Sequence, residues 1–399
     1  MKTKATKDQA TTGLVPKLRF PAFRGATGWE VRPGNRLFDQ VSDKSPETGL
    51  PVLAITQEHG AIPRDLIDYH VSVSEKSIES YKVVQVGDFI ISLRSFQGGI
   101  EYSQYHGICS PAYVILRRSA AGSDAYFKHY LRTDRFIQIL TKNLEGLRDG
   151  KMISYKQFSE LQIPTPAPEE QQQIADCLDS LDGLIAAQGR KVEALKTHKK
   201  GLMQQLFPRE GETQPRLRFP EFQSSGEWEE KCLEELSKTI SSGRDKAAQD
   251  GAFDLYGSTG IIGKTNSASF SGTFILVARV GANAGLLNKA TGEFGVTDNT
   301  LVIVLKTQRD IDSEFVFFYL TLIGLNKMIF GSGQPLITGG QLKALNIQLP
   351  KAKEQQRIAD CLSSLDALIT AATQALDSLK THKQGLMQKL FPAPEEVEA

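Results

Sequence analysis

Two long stretches of the chain carry mainly apolar residues at alternating spacings of four and three. The spacing runs through residues 174–206 and again through residues 358–390. Such a pattern is the seam of a coiled coil, here about five heptads long. Pro168 suits the first position of a helix, and Pro208 and Pro392 end the two helices because proline cannot continue the hydrogen-bond ladder. The pattern therefore predicts two long helices.

The two predicted helices need a surface that covers their apolar stripes. Since both stripes lie in one chain, they most simply pack on each other, although each helix could instead pack on the module that precedes it. Three polar seam residues could set the register, namely Gln188, Lys199 and Lys383. Further apolar residues lie off the seam and could seat a partner protein or contact the neighbouring modules. They are Ala175, Leu184, Met203, Phe207, Ala359, Leu368, Met387 and Phe391.

The segments outside the long helices contain shorter β-rich runs with glycine and proline between them. β-branched and aromatic residues predict strands at residues 89–93, 113–116, 274–277 and 301–305. A helical pattern follows in each segment, at residues 124–140 and 313–330. These signals predict two α+β modules that are mostly β.

Short motifs occur twice in the chain and in the same order. The octapeptide PKLRFPAF at Pro16 returns as PRLRFPEF at Pro215, which is 199 residues later (215 − 16). A second group of motifs, which begins with Glu170, returns at Glu354, which is 184 residues later (354 − 170). A near-identical frame therefore holds two dissimilar inserts, which favours two modules with one task and different targets over an unevenly drifted duplication. The inserts span roughly residues 30–165 and 229–349.

Composition adds expectations about charge and compartment. A chain of 399 residues is expected to hold two or more domains. Its 47 Lys and Arg against 46 Asp and Glu leave a net charge of +1, so a DNA-binding chain of this kind must gather its basic residues on one face. No apolar run approaches the roughly 20 residues that span a bilayer, and we expect no signal peptide in the polar N-terminus. The four cysteines form no CxxC pair, which argues against a zinc cluster and suits the reducing cytoplasm.

In each insert a predicted strand runs into a basic loop that contains glycine, at residues 94–99 and 279–285. A second pair of loops precedes the final strand, at residues 148–151 and 331–334. Glycine lets the backbone approach a partner closely, arginine reads guanine or phosphate, and asparagine or glutamine reads adenine. Each loop alone could be a plain turn. Together with one lysine of a nearby glycine-rich stretch, the loops give these candidate DNA contacts: Arg94, Ser95, Gln97, Arg148, Lys151, Lys264, Arg279, Asn283 and Gln334.

The glycine-rich stretch at residues 257–265 nearly matches a phosphate-binding P-loop. A P-loop has four residues between its glycines, whereas five separate Gly257 from Gly263, and the residues that follow are turn-like instead of helical. The sequence contains no methyltransferase tetrapeptide, no dinucleotide fingerprint and no histidine pair at metal-ligand spacing. We therefore predict no nucleotide site, no metal site and no catalytic residue, and hence a chain that is not itself an enzyme.

The layout resembles the specificity subunits of type I restriction-modification systems. The octapeptide before each insert carries the resemblance, together with a strand that leads into Glu-Gln-Gln, at residues 163–175 and 347–359. The stretch LYGSTGIIG at residues 255–263 is similar to one that is common in target-recognition domains of the family. The motifs cover residues 16–392, and their twofold order is more specific than any one of them.

The resemblance implies an architecture and a set of partners. The fold class would be α+β, with two mostly-β target-recognition domains joined by two long conserved helices that pack as an antiparallel coiled coil, related by a pseudo-twofold internal repeat. Each domain would read one half of a bipartite double-stranded DNA target, and the helices would set the spacing and dock two methyltransferase subunits. Restriction subunits, which are translocases, would join that core. S-adenosylmethionine and ATP would belong to these partners, so the resemblance implies no cofactor, no membrane partner and a cytoplasmic location for the chain itself.

The motifs divide the chain into six expected segments. In chain order they are a disordered N-terminal tail (1–15), target-recognition domain 1 (16–166), spacer helix 1 (167–208), target-recognition domain 2 (209–350), spacer helix 2 (351–392) and a C-terminal tail (393–399).

Two other functions stay open on the sequence. A two-headed protein-binding adaptor predicts that the glycine-arginine loops can be replaced without loss of nucleic-acid affinity. A single-chain nuclease predicts metal-dependent activity from the chain alone.

Overall fold

Two helices of 39 residues each, Pro168–Leu206 and Ala352–Leu390, dominate the computed structural model of the chain. We call them the first and the second long helix. Each ends two residues before a proline, Pro208 or Pro392, because a proline cannot donate the next hydrogen bond of the ladder. Both predicted long helices are therefore confirmed.

The structure describes residues 14–44, 49–67, 80–93, 95–142, 153–306, 310–329 and 335–392. The chain forms two units. Unit 1 comprises Met1–Ala187 together with Ala375–Ala399, and unit 2 comprises Gln188–Gln374. Each unit therefore contains one insert and a part of both long helices.

In unit 2 the end of the first long helix pairs with the beginning of the second. The side-chain amide of Gln188 donates a 2.8 Å hydrogen bond to the carbonyl oxygen of Ala372. The ammonium group of Lys199 lies 2.6 Å from a carboxylate oxygen of Asp366. Residue numbers fall along the second helix as they rise along the first, so the two segments run antiparallel.

In unit 1 the beginning of the first long helix pairs with the end of the second. Lys383 donates a 2.6 Å hydrogen bond to the carboxylate of Asp182. Ile174, which comes earlier in the first helix, shares one buried core with Leu390, which comes later in the second. These segments also run antiparallel. The antiparallel pairing that the family resemblance implied is therefore confirmed within each unit.

The off-seam apolar residues divide into three groups by their exposure, and one group is Met387 alone, which is half-buried against the core of unit 1. Most of them are buried in the core of the unit that they belong to. These are Ala175, Met203, Phe207, Ala359 and Phe391. Leu184 and Leu368, which occupy equivalent positions of the repeat, stay 53% and 55% exposed. The helices therefore pack on the modules near their ends and leave a leucine uncovered nearer the middle.

Unit 1 contains a four-stranded sheet of order β2-β9-β6-β7 and three two-stranded pairs, β1–β10, β3–β4 and β5–β8, all antiparallel. The strands are β1 Glu30–Pro33, β2 Phe38–Val41, β3 Leu53–Thr56, β4 Gly60–Pro63, β5 Lys82–Val84, β6 Phe89–Ile91, β7 Glu101–Tyr102, β8 Gly107–Cys109, β9 Val114–Arg118 and β10 Gln162–Thr165. The shorter helices are α1 Ser95–Gly98, α2 Asp124–Tyr130, α3 Asp134–Lys142 and α4 Tyr155–Glu160.

Aromatic side chains fill the core of unit 1. The ring of Phe38 meets those of Phe89, Phe127 and Phe158 edge-on at centroid distances of 5.2, 5.1 and 5.7 Å. The predicted strands at 89–93 and 113–116 are confirmed as β6 and β9. The helical stretch predicted at 124–140 forms two helices, because the hydroxyl of Thr133 accepts the backbone N–H of residue 136 and starts a new helix.

Unit 2 contains a six-stranded sheet of order β12-β17-β15-β16-β13-β14, in which only β13 and β16 run parallel, and a separate β11–β18 pair. The strands are β11 Glu229–Cys232, β12 Ser237–Ser242, β13 Phe253–Gly257, β14 Gly260–Thr265, β15 Phe270–Ala278, β16 Leu287–Val296, β17 Thr300–Leu305 and β18 Asn346–Leu349. The shorter helices are α5 Leu233–Leu236, α6 Ser313–Ile323 and α7 Gly339–Lys343.

Three features of unit 2 bear on the predictions from the sequence. The strands predicted at 274–277 and 301–305 lie within β15 and β17, as expected. The helix predicted through residue 330 ends at Ile323, because Gly324 takes a left-handed conformation with φ of 71°. The P-loop-like stretch is a β-hairpin, with Gly257 opposite Gly260, and does not lead into a helix. No helix among the described residues is long and apolar enough to cross a membrane.

Candidate nucleic-acid interface

The repeated motifs of the frame form a buried ion pair in each unit. In unit 1 the guanidinium of Arg19 donates two hydrogen bonds, of 2.8 and 2.7 Å, to the carboxylate of Glu170. In unit 2 Arg218 makes the same pair of bonds to Glu354, both of 2.7 Å. All four side chains are at least 90% buried. The octapeptide is therefore clamped to the start of a long helix by a bidentate contact.

The glutamine after each of these glutamates joins the module to the long helix. Gln171 accepts the backbone N–H of Ser123 at 3.0 Å and donates to the carbonyl oxygen of residue 166 at 2.8 Å. Gln355 accepts the backbone N–H of Asp312 at 2.9 Å and donates to the carbonyl oxygen of residue 350 at 2.8 Å. Ser123 and Asp312 directly precede α2 and α6. Both inserts are therefore held on the long helices in the same manner, although their sheets differ.

The candidate loop of unit 1 follows β6 and forms the one-turn helix α1. The hydroxyl of Ser95 is buried and accepts the backbone N–H of Ser92 at 2.8 Å, whereas Gln97 is exposed. The loop ends at Gly99, whose φ is 89° and whose Cβ, if it had one, would lie 2.3 Å from the carbonyl oxygen of Leu131. Only glycine permits this close approach to the end of α2.

The candidate loop of unit 2 follows β15 and turns without forming a helix. Arg279 is half-buried at its start, and Asn283 is exposed at its tip. The backbone N–H of Gly285 closes the loop on the carbonyl oxygen of Ala278 at 2.9 Å. Gly285 also has a φ of 89°, and its Cβ would lie 2.4 Å from the backbone nitrogen of Asn326, just beyond α6. Both loops are therefore tight turns packed on the end of a helix.

The remaining candidate residues fall into two groups. Lys264 lies on β14, away from both loops in the sequence, and pairs with Asp254 at 2.9 Å. Four candidates lie outside the described residues, and these are Arg94, Arg148, Lys151 and Gln334. The structure thus brings Arg279 and Asn283 together in one loop and Ser95 and Gln97 together in another.

Sequence reasoning missed Arg132, which lies beside the unit 1 loop. Its guanidinium donates a hydrogen bond to the carbonyl oxygen of Gln57 and lies 3.5 Å from the buried carboxylate of Glu101. If Gly98 had a Cβ, that atom would lie 2.5 Å from the side chain of Gln57. The β3–β4 turn, which contains Gln57, therefore packs against α1. Burial raises the pKa of Glu101 to about 7. No sequence motif marks Arg132, because its neighbours come from segments 31 and 75 residues away.

One histidine lies among carboxylates under the long helices of unit 1. The Nε2 atom of His129 is 2.9 Å from Asp179, and the ligand atoms of His129, Asp179 and Asp182 lie within 4.8 Å of one another. Lysines already neutralise both carboxylates, because Lys128 lies 2.6 Å from Asp179 and Lys383 lies 2.6 Å from Asp182. Burial and these two ammonium groups lower the pKa of His129 to about 4. The arrangement is a structural hydrogen-bond network between a module and the helix pair.

Comparison with known proteins agrees with the duplicated layout. A putative type I restriction enzyme MjaX specificity subunit from Methanocaldococcus jannaschii is 24% identical over 91% of this chain and 92% of its own length. The type I restriction enzyme MjaVIII specificity subunit of the same organism is 25% identical over 80% of this chain and 81% of its own. The fold is similar to that in a crystal structure of the type I restriction-modification system S subunit from M. genitalium, with a TM-score of 0.62 at 16% identity, covering 95% of this chain and 99% of that one.

A family model described as the type I restriction modification DNA specificity domain matches the chain twice. The matches cover residues 31–197 and residues 225–381. Each match contains one insert, including its Arg-led loop, and most of the long helix that follows. The protein therefore belongs to the family of type I restriction-modification DNA specificity domains.

Proposed function

We propose that this chain is the DNA-reading subunit of a type I restriction-modification complex, and that each unit reads one half of a bipartite target. The observation that carries the proposal is the matched pair of loops. Gly99 and Gly285 both have a φ of 89° and both pack on backbone just beyond a helix, whereas the exposed side chains before them differ, with Gln97 in one loop and Asn283 in the other. One scaffold with different reading residues suits two different half-sites.

The chemistry of these loops fits base and phosphate contacts. A guanidinium such as that of Arg279 pairs with the edge of guanine, and the amides of Gln97 and Asn283 pair with adenine. Contacts to phosphates would supply affinity that falls with salt. Because the chain carries a net charge of only +1, the partner subunits would hold part of the duplex.

The long helices would fix the distance between the half-sites and dock the methyltransferase subunits. A rigid link between two reading units raises affinity only for sites at the matching spacing, and each helix is continuous over 39 residues. Leu184 and Leu368 suit the docking role, since an apolar side chain stays exposed at the same position of both repeats. Two equivalent positions agree with two methyltransferase subunits.

In this proposal the chain binds DNA and its partners perform the chemistry. The methyltransferase subunits would use S-adenosylmethionine to methylate adenine, and restriction subunits would use ATP to translocate DNA. The chain itself would bind neither cofactor and would act in the cytoplasm. The hairpin at residues 257–265 and the lysine-paired carboxylates around His129 agree with a chain that has no catalytic role.

Substitution of one loop arginine at a time tests the assignment of half-sites. We expect Arg279→Ala, in the full chain assembled with methyltransferase subunits, to weaken binding by about tenfold or more, through the loss of preference in one half-site. Arg94→Ala is expected to affect the other half-site. Competition between duplexes altered in either half measures both effects, and Lys353→Ala, an exposed cation at the start of the second long helix, is the control.

Two outcomes of this experiment would contradict the proposal at different levels. Unchanged half-site preference in both Arg94→Ala and Arg279→Ala would mean that these loops do not read the target. A wild-type complex without any sequence preference would instead favour a protein-binding adaptor.

A further inference from the structure

A short segment of unit 2, residues 243–246, is held beside the Arg279 loop. It follows β12 and has the sequence Gly-Arg-Asp-Lys. The backbone N–H of Gly243 donates to Thr300 at 3.2 Å, and that of Asp245 donates to Val296 at 2.9 Å. Arg279 donates its own backbone N–H to the carbonyl oxygen of Asn299 at 2.8 Å. The turn between β16 and β17 therefore connects the 243–246 segment with the Arg279 loop.

Asp245 fixes this segment by its side chain as well as its backbone. Its carboxylate accepts the backbone N–H of Val296 at 2.8 Å and the hydroxyls of Ser267 and Ser269 at 2.9 and 2.6 Å. Gly243 packs so closely that a Cβ there would lie 2.0 Å from the carbonyl oxygen of Val296. The segment is thus anchored on both sides of Arg244.

Arg244 is exposed between these two anchors. No carboxylate among the described residues pairs with it. Lys264, by contrast, already pairs with Asp254 on the neighbouring strand. The held backbone fixes where the Arg244 side chain begins, and the planar guanidinium can donate to two acceptors at once. This two-donor geometry matches the edge of a guanine base.

We propose that Arg244 is a specificity-determining residue of unit 2. Its guanidinium contacts the edge of a guanine in the half-site that the Arg279 loop reads, and Asp245 is the residue that positions it. This inference rests on the proposed function and adds a reading residue that no sequence motif marked. The contact is the bidentate pairing of arginine with the O6 and N7 acceptors of guanine.

The corresponding segment of unit 1 has a different residue at this position. After β2 the chain reads Ser42-Asp43-Lys44, so an Asp-Lys pair follows the first strand of the main sheet in both units. The residue before that aspartate is Ser42 in unit 1 and Arg244 in unit 2. A different side chain at this position suits two units that read different half-sites.

The test replaces Arg244 in the full chain, assembled with methyltransferase subunits. The duplexes that this complex binds are then selected from a randomised DNA library. We expect Arg244→Ser to lose about tenfold or more of the preference for guanine at one position of one half-site, with the other half-site unchanged. Asp245→Ala is expected to relax the same position, and Asp245→Asn to restore part of the preference. Lys238→Ser, at an exposed residue near the other end of β12, is the matched control.

Other outcomes would overturn the inference. An unchanged target for Arg244→Ser would remove Arg244 from the reading surface. Equal weakening on all sequences, with a smaller dependence of affinity on salt, would make it a phosphate contact. If the wild-type complex selects no bipartite target at all, the proposed function fails first, which distinguishes the two failures.

Discussion

Units 1 and 2 share a frame and differ where the insert meets the long helices. His129 lies six residues after Ser123 in unit 1, and Phe318 lies six residues after Asp312 in unit 2 (129 − 123 = 318 − 312). The two residues therefore occupy equivalent positions. In unit 2 the ammonium of Lys199 lies 4.8 Å from the centre of the Phe318 ring. In unit 1 the His129 ring lies beside carboxylates that pair with lysines.

Two contacts are common to both units and show how an insert is fixed to the frame. The Arg-Glu clamp and the glutamine that joins module to helix recur in both units with nearly the same distances. The residue under the helices is a phenylalanine beside Lys199 in unit 2 and a histidine beside paired carboxylates in unit 1, so this contact is not common to the two units. The contacts that fix an insert to the frame are therefore repeated, while the inserts themselves have diverged.

The largest expected effect comes from breaking one clamp. We expect Arg218→Ala to lower the free energy of unfolding of unit 2 by about 3–5 kcal/mol, because it leaves the buried carboxylate of Glu354 without its partner. Arg19→Ala should do the same to unit 1. Urea unfolding measures this with tryptophan fluorescence, since Trp29 is buried in unit 1 and Trp228 in unit 2.

Single-tryptophan variants make that comparison specific to one unit. Trp29→Phe leaves a reporter in unit 2, and Trp228→Phe leaves one in unit 1. The control replaces both partners, Arg218→Met with Glu354→Met, and should recover most of the loss because no charge stays buried alone. Equal stability of Arg218→Ala and the parent would show that the clamp does not hold the module.

An intermediate effect is expected from pH, and it should be visible in unit 1. The pKa of His129 is lowered to about 4, so the unfolded chain binds more protons than the folded one between pH 4 and 6.5, and stability falls as the pH is lowered through that range. The pKa of Glu101 is raised to about 7, so the folded chain keeps a proton that the unfolded one releases, and stability falls as the pH rises from 4.5 to 7. The two contributions oppose each other.

Substitutions separate these contributions. His129→Phe, which introduces the unit 2 residue, should leave a stability that decreases with rising pH, and Glu101→Gln should leave one that increases. In each variant the free energy of unfolding should change by at most about 3 kcal/mol over the pH range given above for the remaining group. The free energy of unfolding of unit 1, measured with Trp29 as the reporter at pH 4.5 to 7, checks both. Parallel pH profiles of the two variants would contradict the assignment.

The smallest expected effect concerns the equivalent ion pairs of the seam. Asp182 with Lys383 and Asp366 with Lys199 are both partly exposed, so each coupling should be about 0.5 kcal/mol and should fall with salt. Lys199→Ala should lower the free energy of unfolding by more than Lys383→Ala does, because Lys199 also meets the ring of Phe318. Double-mutant cycles to alanine isolate the two ion pairs, and a smaller difference between the two lysine variants after Phe318→Leu would support the ring as its cause.

The sequence predicts the long helices and the main strands because these depend on local periodicity. It also identifies the clamp residues as repeated, but it does not pair Arg19 with Glu170, since 151 residues separate them. The pattern at 124–140 predicts one helical stretch, and the cap at Thr133 divides it into two helices. Local patterns do not reveal contacts between distant parts of the chain, and they do not reveal a cap that interrupts a helix.

The candidate interface follows the same rule. Arg279 and Asn283 lie in one loop because neighbours in sequence stay neighbours in a turn. Ser95 was expected to face DNA, and its hydroxyl is buried in a local turn; its role in binding stays a prediction. Arg132 and Arg244 carry no motif, since each is placed by segments that come from elsewhere in the chain.

The most direct test of the central claim is a map of methylated adenines across the host genome, with and without this chain, while the methyltransferase is expressed. The proposal predicts one bipartite motif with a fixed gap that disappears when the chain is deleted and returns when it is restored. A methylation pattern that does not depend on the chain would contradict the claim that it selects the target.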